Sequence, residues 1–179
     1  MTKYVALLRA INVGGHTVRM DHLRSLFAAM GFANVETFIA SGNVIFDSKS
    51  GNPKALERKI EKHLRETLGY EVATFVRATS ELKAVAAYKP FTDSELDKEG
   101  HALYVGFVAD SPSDQAKQKL LSYRSEIDDL HVEGREIYWL CRTRMGDSKF
   151  SGAMLEKTLG IRATFRNSTT VRKIAAKYS

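Results

Sequence analysis

Apolar and polar positions change period along the chain, and each change marks an element. Tyr4 to Leu8 with Ile11 is an apolar run of strand length, broken by Val13-Gly14-Gly15-His16. Met20, Leu23, Leu26, Phe27 and Met30 then recur at helical spacing, and Gly31 closes that helix. Val35–Ile39 and Val44–Phe46 predict two strands around Ser41-Gly42-Asn43, a hairpin turn signal. Asn52 caps and Pro53 starts a helix carrying Leu56, Ile60, Leu64 and Leu68, which ends at Gly69. Val72–Val76 predicts a fourth strand, and Ser80–Tyr88 a short helix that stops before Pro90.

The order then starts again. Ala102–Val108 predicts a strand, 112–123 a helix, Leu130–Val132 and Ile137–Leu140 a hairpin around Glu133-Gly134-Arg135. Ser151–Leu159 predicts a helix ending at Gly160, Arg162–Phe165 a strand, and Thr169–Tyr178 a closing helix. Letters repeat as well as periods. Leu64-Arg-Glu-Thr-Leu-Gly69, Ala73-Thr-Phe75 and Arg77 recur as Leu155-Glu-Lys-Thr-Leu-Gly160, Ala163-Thr-Phe165 and Arg166. The expected fold is therefore α+β: two ferredoxin-like βαββαβ lobes made by internal duplication, each followed by an extra helix. The expected division is a lobe at 1–90, an acidic linker at 91–100 and a lobe at 101–179.

Strand direction in this order brings remote residues together. The loop after the first strand and the hairpin between the second and third share one sheet end. Arg9, Asn12, Gly14 and Gly15 should therefore sit beside Ser41 and Asn43. In the second lobe the opposite end collects Arg142, Arg144, Lys149, Arg166, Asn167, Thr170, Arg172 and Lys173 into one basic pole.

The same segments carry a resemblance. Leu8-Arg-Ala-Ile-Asn-Val-Gly-Gly15, Gly31-Phe32 and Phe38-Ile-Ala-Ser-Gly-Asn-Val-Ile-Phe46 resemble the bacterial domain-of-unknown-function family 1697. So do Pro90-Phe91, Ser148-Lys-Phe150, Leu155-Glu-Lys157, Leu159-Gly160 and Thr164-Phe-Arg-Asn167 before Thr170-Val171. One position departs: where the family pattern carries Trp directly after the Arg-Asn pair, this chain has Ser168. A stacking role for that Trp does not carry over. The resemblance implies a two-lobed α+β fold and no particular activity.

Charge adds a partner class. The formal net charge is +6 over 179 residues. Residues 91–141 hold 5 Lys+Arg against 11 Asp+Glu, whereas 142–179 hold 9 against 2. A basic tail fits an anionic small molecule, a nucleic acid or the acidic middle of the same chain. Cys141 is the single cysteine, so no internal disulfide forms. With no apolar run long enough to span a bilayer, a cytoplasmic protein that does not enter the membrane is expected.

Candidate chemistry follows from residue types. Arg9, the amides of Asn12 and Asn43, the Ser41 hydroxyl and the close-approach backbone of Gly14-Gly15 suit a phosphate or carboxylate, with a helix N-terminus behind them. The same residues can instead simply turn and cap the chain. Asn167 with Thr169-Thr170 opens the last helix, where capping and anion binding by Arg166, Lys149 and Arg144 are both open. No Walker loop and no G-x-G-x-x-G is present. His16, His22, His63, His101 and His131 are scattered; none pairs with Cys141 at metal-ligand spacing, and neither metal nor cofactor is expected. His63 is expected on a solvated helix face, and His16 is the histidine placed to act as a base. Three functions stay open: an uncharacterised binder of an anionic ligand (phosphate, nucleotide or nucleic acid) at lobe ends or between lobes; an enzyme on a small phosphorylated or carboxylated substrate positioned by Arg9 and Asn12; and a structural or interaction protein with no ligand.

Overall fold

Burial decides where the first half forms its strands. A computed structural model describes residues 1–12, 15–39, 42–143 and 147–178. The first half runs β1 (Thr2–Leu8), α1 (Met20–Ala29), β2 (Ala33–Thr37), β3 (Asn43–Ser48), α2 (Pro53–Leu68), β4 (Thr74–Ala78) and α3 (Thr79–Ala87). All its pairings are antiparallel, in the order β2-β3-β1-β4. Tyr4, Ala6 and Leu8 of β1 face the core with Phe46 and Val76, where they meet Leu23 and Phe27 of α1 and Ile60 and Leu64 of α2. Val5, Leu7, Ile45 and Phe75, on the alternate face, are buried too. That is why these strands read as apolar runs rather than alternations.

Local chemistry fixes the ends. Asn52 Oδ1 accepts from Ala55 N at 3.2 Å, Pro53 opens α2, and Gly69 closes it with its N–H on Arg65 O at 2.9 Å. The fourth strand starts two residues later than its apolar letters predict. Val72 and Ala73 are buried, but the ladder begins only at Thr74, opposite Leu8, where β1 ends. His63 also differs from expectation: its Nε2 is buried with no hydrogen-bond partner among the described residues. It stands one residue before Leu64, a core position, so its ring is drawn partly inward.

The second half runs α4 (Asp93–Leu96), β5 (Ala102–Phe107), α5 (Asp114–Leu121), β6 (Asp128–Glu133), β7 (Glu136–Cys141), α6 (Gly152–Leu159), β8 (Thr164–Asn167) and α7 (Ser168–Tyr178). The sheet order β6-β7-β5-β8 repeats that of the first half. Its core centres on Trp139, whose ring lies 5.0 Å from Phe150 and 5.8 Å from Phe165. The Trp139 indole N–H donates to Asp128 Oδ1 at 2.8 Å, and the Ser148 hydroxyl donates to Asp128 Oδ2 at 2.6 Å. Asp128 is therefore a buried carboxylate with two side-chain donors.

The chain divides into two compact units, Met1–Lys83 with Ile174–Ser179, and Ala84–Lys173. This differs from the division at 1–90, 91–100 and 101–179. The acidic 91–100 stretch belongs to the second unit, because Glu95 of α4 takes Arg142 Nε at 3.2 Å and its carbonyl lies 2.8 Å from His101 Nδ1. The end of α7 belongs with the first unit, where the Tyr178 ring meets Phe38 edge-on at 6.0 Å.

Candidate functional site

The first rim forms as strand direction requires. Asn43 stands opposite Leu7, and Leu8 N donates to Gly42 O at 2.9 Å, so the loop that follows β1 and the turn before β3 share one end of the sheet. Gly42 is needed there. Its φ is +79°, and an added Cβ would sit 3.0 Å from Leu8 Cβ and 3.1 Å from Ile11 Cγ2. Arg9 and Asn12 reach this rim, but the two asparagine side chains hold backbone. Asn12 Oδ1 accepts from Val18 N at 2.8 Å, and the buried Asn43 amide donates to Phe38 O at 3.0 Å. His16 stacks on Tyr70 with ring centroids 3.9 Å apart, and the Tyr70 hydroxyl donates to Ile11 O at 2.9 Å. Gly15 is exposed, with φ +82°. Ala10 and Ile39 also take left-handed backbone, at φ 55° and 58°. For a β-branched residue that is an uncommon, strained conformation. Gly14 and Ser41 lie outside the described residues.

Strands β7 and β8 finish at the same end of the second sheet, and the basic residues expected there take different settings. Cys141 is opposite Ala102 and Asn167 opposite Tyr104, so Arg142 and α7 leave together. Arg142 is engaged with Glu95, and with Asp129 at 3.6 Å. Arg166 does not stand on an exposed pole: it is 7 % exposed. Its Nη1 donates to Thr164 Oγ1 at 2.7 Å and Phe165 O at 2.9 Å. Loss of hydration pulls its pKa down to about 10. The reason is register. Arg166 faces Val105, on the buried face away from Trp139, and only Asn167 turns outward. Lys149, Arg172 and Lys173 are exposed and Thr170 is half-buried. Arg144 lies outside the described residues.

What remains at this end is a cleft of about 400 Å³ within the second unit. Asn167, Ser168, Thr169 and Arg172 line its α7 side, Lys89, Asp93 and Asp97 another, and Tyr88, Leu103 and Tyr138 contribute apolar surface. Asn167 Oδ1 accepts from Thr169 N at 2.9 Å, which occupies one of the four N–H groups that a helix start leaves open. No acidic residue stands in the first turn of α7. Across the cleft Lys89 Nζ is paired with Asp93 at 3.0 Å. The Tyr138 hydroxyl donates to Val85 O at 3.2 Å, and burial, followed by the nearby Glu136 charge, pushes its pKa up. Tyr88, Lys89 and His101 carry no linear signal that links them to Asn167, and the sequence pattern did not find them.

Among the described residues no three His, Cys, Asp or Glu side chains gather to hold a metal. Among them too, no helix is long and apolar enough to cross a membrane. Cys141 is buried, its thiol donates to Thr143 O at 3.0 Å, and burial raises its pKa, which is the setting of a packing residue.

The fold is shared. A conserved bacterial protein, SP0830 from Streptococcus pneumoniae, is similar over 99% of this chain and 98% of its own, with a TM-score of 0.73 and 25% sequence identity. No curated protein matches. The family model described as protein of unknown function (DUF1697) matches residues 1–138, more than three quarters of the chain. The chain thus belongs to the DUF1697 family.

Proposed function

We propose that the protein binds a small anionic ligand, with a phosphate or carboxylate seated on the α7 side of the second-unit cleft. The observation that carries this reading is the conjunction of a cleft of about 400 Å³ with Arg172 and a helix start that has no acidic residue of its own. The positive end of the helix dipole and a guanidinium then address the same group. Asp97 lines the same cleft, so the anionic group belongs near Arg172. A cleft of this size suits a small molecule better than a polynucleotide track. A second seat, at Arg9 and Asn12, is favoured by the strained backbone of Ala10 and Ile39.

A thermal-shift series with inorganic phosphate, sugar phosphates, nucleotides and a short oligonucleotide tests both. Ligand at about 100 times its Kd adds about 2.7 kcal/mol of stability. The expected result is a shift with at least one small phosphate that disappears in Arg172→Ala and persists in Arg9→Ala. The reverse pattern moves the seat to the first rim. No shift with any member removes the anion reading.

A further inference from the structure

We propose that the second-unit cleft takes a small zwitterion, an aminoalkyl phosphate or an amino acid, whose ammonium group is read by Asp97 and by Nε2 of His101. This rests on the anion seat at Arg172 and adds the ligand's opposite charge. Asp97, His101 and Arg172 all line the cleft of about 400 Å³. Among the described residues neither Asp97 nor Arg172 has an ion-pair partner, and they do not pair with each other. Arg172 Nη2 makes one long contact, 3.4 Å, to Thr169 Oγ1. Lys89 and Asp93, which also line the cleft, neutralise one another at 3.0 Å. A simple anion in so small a space answers the guanidinium but meets the Asp97 carboxylate as a like charge. A zwitterion answers both.

His101 supplies the second observation. Its side chain is only 9% exposed. Nδ1 lies 2.8 Å from Glu95 O, and a carbonyl only accepts, so Nδ1 donates and keeps the proton of the neutral ring. Nε2 then presents a lone pair. It has no hydrogen-bond partner among the described residues, and the ring lines the cleft. A buried, oriented acceptor of this kind suits an N–H of the ligand. The chain places it there by a short turn between α4 and β5. Asp97 N donates to Asp93 O at 2.8 Å and His101 N to Lys98 O at 3.1 Å, and both side chains reach the same cavity. Glu95 is itself held, since its carboxylate takes Arg142 Nε at 3.2 Å. An ammonium carries several donors, and Asp97 and Nε2 offer it two acceptors from one turn, while Arg172 addresses the anionic end from α7.

The test is calorimetric titration of the full-length chain with two matched pairs: O-phosphoethanolamine against ethyl phosphate, and 4-aminobutyrate against butyrate. In at least one pair the amine-bearing member should bind at least about 10-fold more tightly, the scale of one added hydrogen bond to a charged group. Asp97→Asn and His101→Asn should each remove most of that preference without weakening the amine-free member, whereas Arg172→Ala should weaken both. Asn at position 101 keeps a donor for Glu95 O and lacks Nε2, and melting curves show whether each variant is folded. In nitrogen-15 spectra of the wild type, His101 Nε2 should shift with the amine-bearing member and not with its partner. Equal affinity within both pairs, lost in Arg172→Ala, overturns the amine reading and leaves the anion seat standing. A preference that Asp97→Asn and His101→Asn both leave intact overturns the assigned residues. No binding of any of these probes overturns the proposal, and if inorganic phosphate, sugar phosphates and nucleotides fail as well, the anion seat falls with it.

Discussion

Arg77 and Arg166 occupy equivalent places in the two halves. Arg77 stands opposite Val5 across the β1–β4 ladder, and Arg166 stands opposite Val105 across the β5–β8 ladder. Both are buried, on the sheet face turned away from the helix-covered core. A guanidinium in such a place contributes to stability through its hydrogen bonds, and its removal leaves their partners unpaired. Arg166→Ala should therefore destabilise by about 2–4 kcal/mol, counting lost packing and unpaired acceptors. Exposed Arg172→Ala should stay within about 0.5 kcal/mol. Urea unfolding of the two variants checks this, and equal small losses would mean that Arg166 has no structural role.

Asp128 invites a parallel test. Its carboxylate takes the Trp139 indole N–H and the Ser148 hydroxyl inside the second core. Asp128→Ala strands both donors and should cost about 2–4 kcal/mol. Ser148→Ala removes one donor and should cost about 1 kcal/mol. A chemical-denaturation series that ranks the two losses the other way round would show that the carboxylate is not the hub of this contact.

Acid should act on the first sheet through Asp47. Its carboxyl is held below the usual range chiefly by the hydrogen bond from Asn34 at 2.7 Å and, against the opposing effect of burial, by Lys3 at 3.1 Å. A carboxyl whose folded pKa is depressed adds stability that is present above the unfolded value near 3.8 and lost as pH falls through the folded one. Asp47→Asn should thus cost about 0.5–1 kcal/mol at neutral pH, the scale of a partly exposed ion pair. Its melting temperature should converge on wild type below that window. A gap that stays constant from pH 7 to pH 2 would contradict the linkage.

His63 offers the opposite sign. Its buried Nε2 has no partner among the described residues. Replacement by Leu on helix α2 removes the unpaired group and raises helix propensity, so thermal melts should show a change between neutral and a gain of about 1–2 kcal/mol. A loss greater than about 1 kcal/mol would mean that the imidazole has a bound water or another partner.

Much of this fold was legible because its signals were periodic or duplicated. The run from Tyr4 to Leu8, the helical spacing from Leu56 to Leu68 with Asn52 and Gly69 at its ends, and the two Leu-to-Gly copies all report burial directly. Strand direction alone places Asn12 and Asn43 at one sheet end. It does not reveal that their amides hold Val18 N and Phe38 O. The letters around Arg166 look like a basic strand end. Yet which face a residue near the end of a strand takes depends on a one-residue register, and that register put Arg166 inside and Asn167 outside. Tyr88 and His131 meet only through the folded chain across 43 positions. No local pattern encodes such a meeting.

Register also makes a volume exchange between the halves testable. Ala6 faces Val76 in the first sheet, and at the matching place Gly106 faces Phe165 in the second. A Cβ added at Gly106 would lie 2.8 Å from Phe165 Cε1, too close without a shift of that ring. Gly106→Ala alone should cost about 1–3 kcal/mol by overpacking. Phe165→Val alone should also destabilise, because Phe165 packs against Trp139 at 5.8 Å and leaves a gap there. The double variant recreates the pairing of the first sheet, so its loss should be smaller than the sum of the single losses by about 0.5–3 kcal/mol. Additive losses in a double-mutant cycle would show that the ring does not set the size limit at Gly106. The glycine would then need a different cause, such as the backbone of β5 itself.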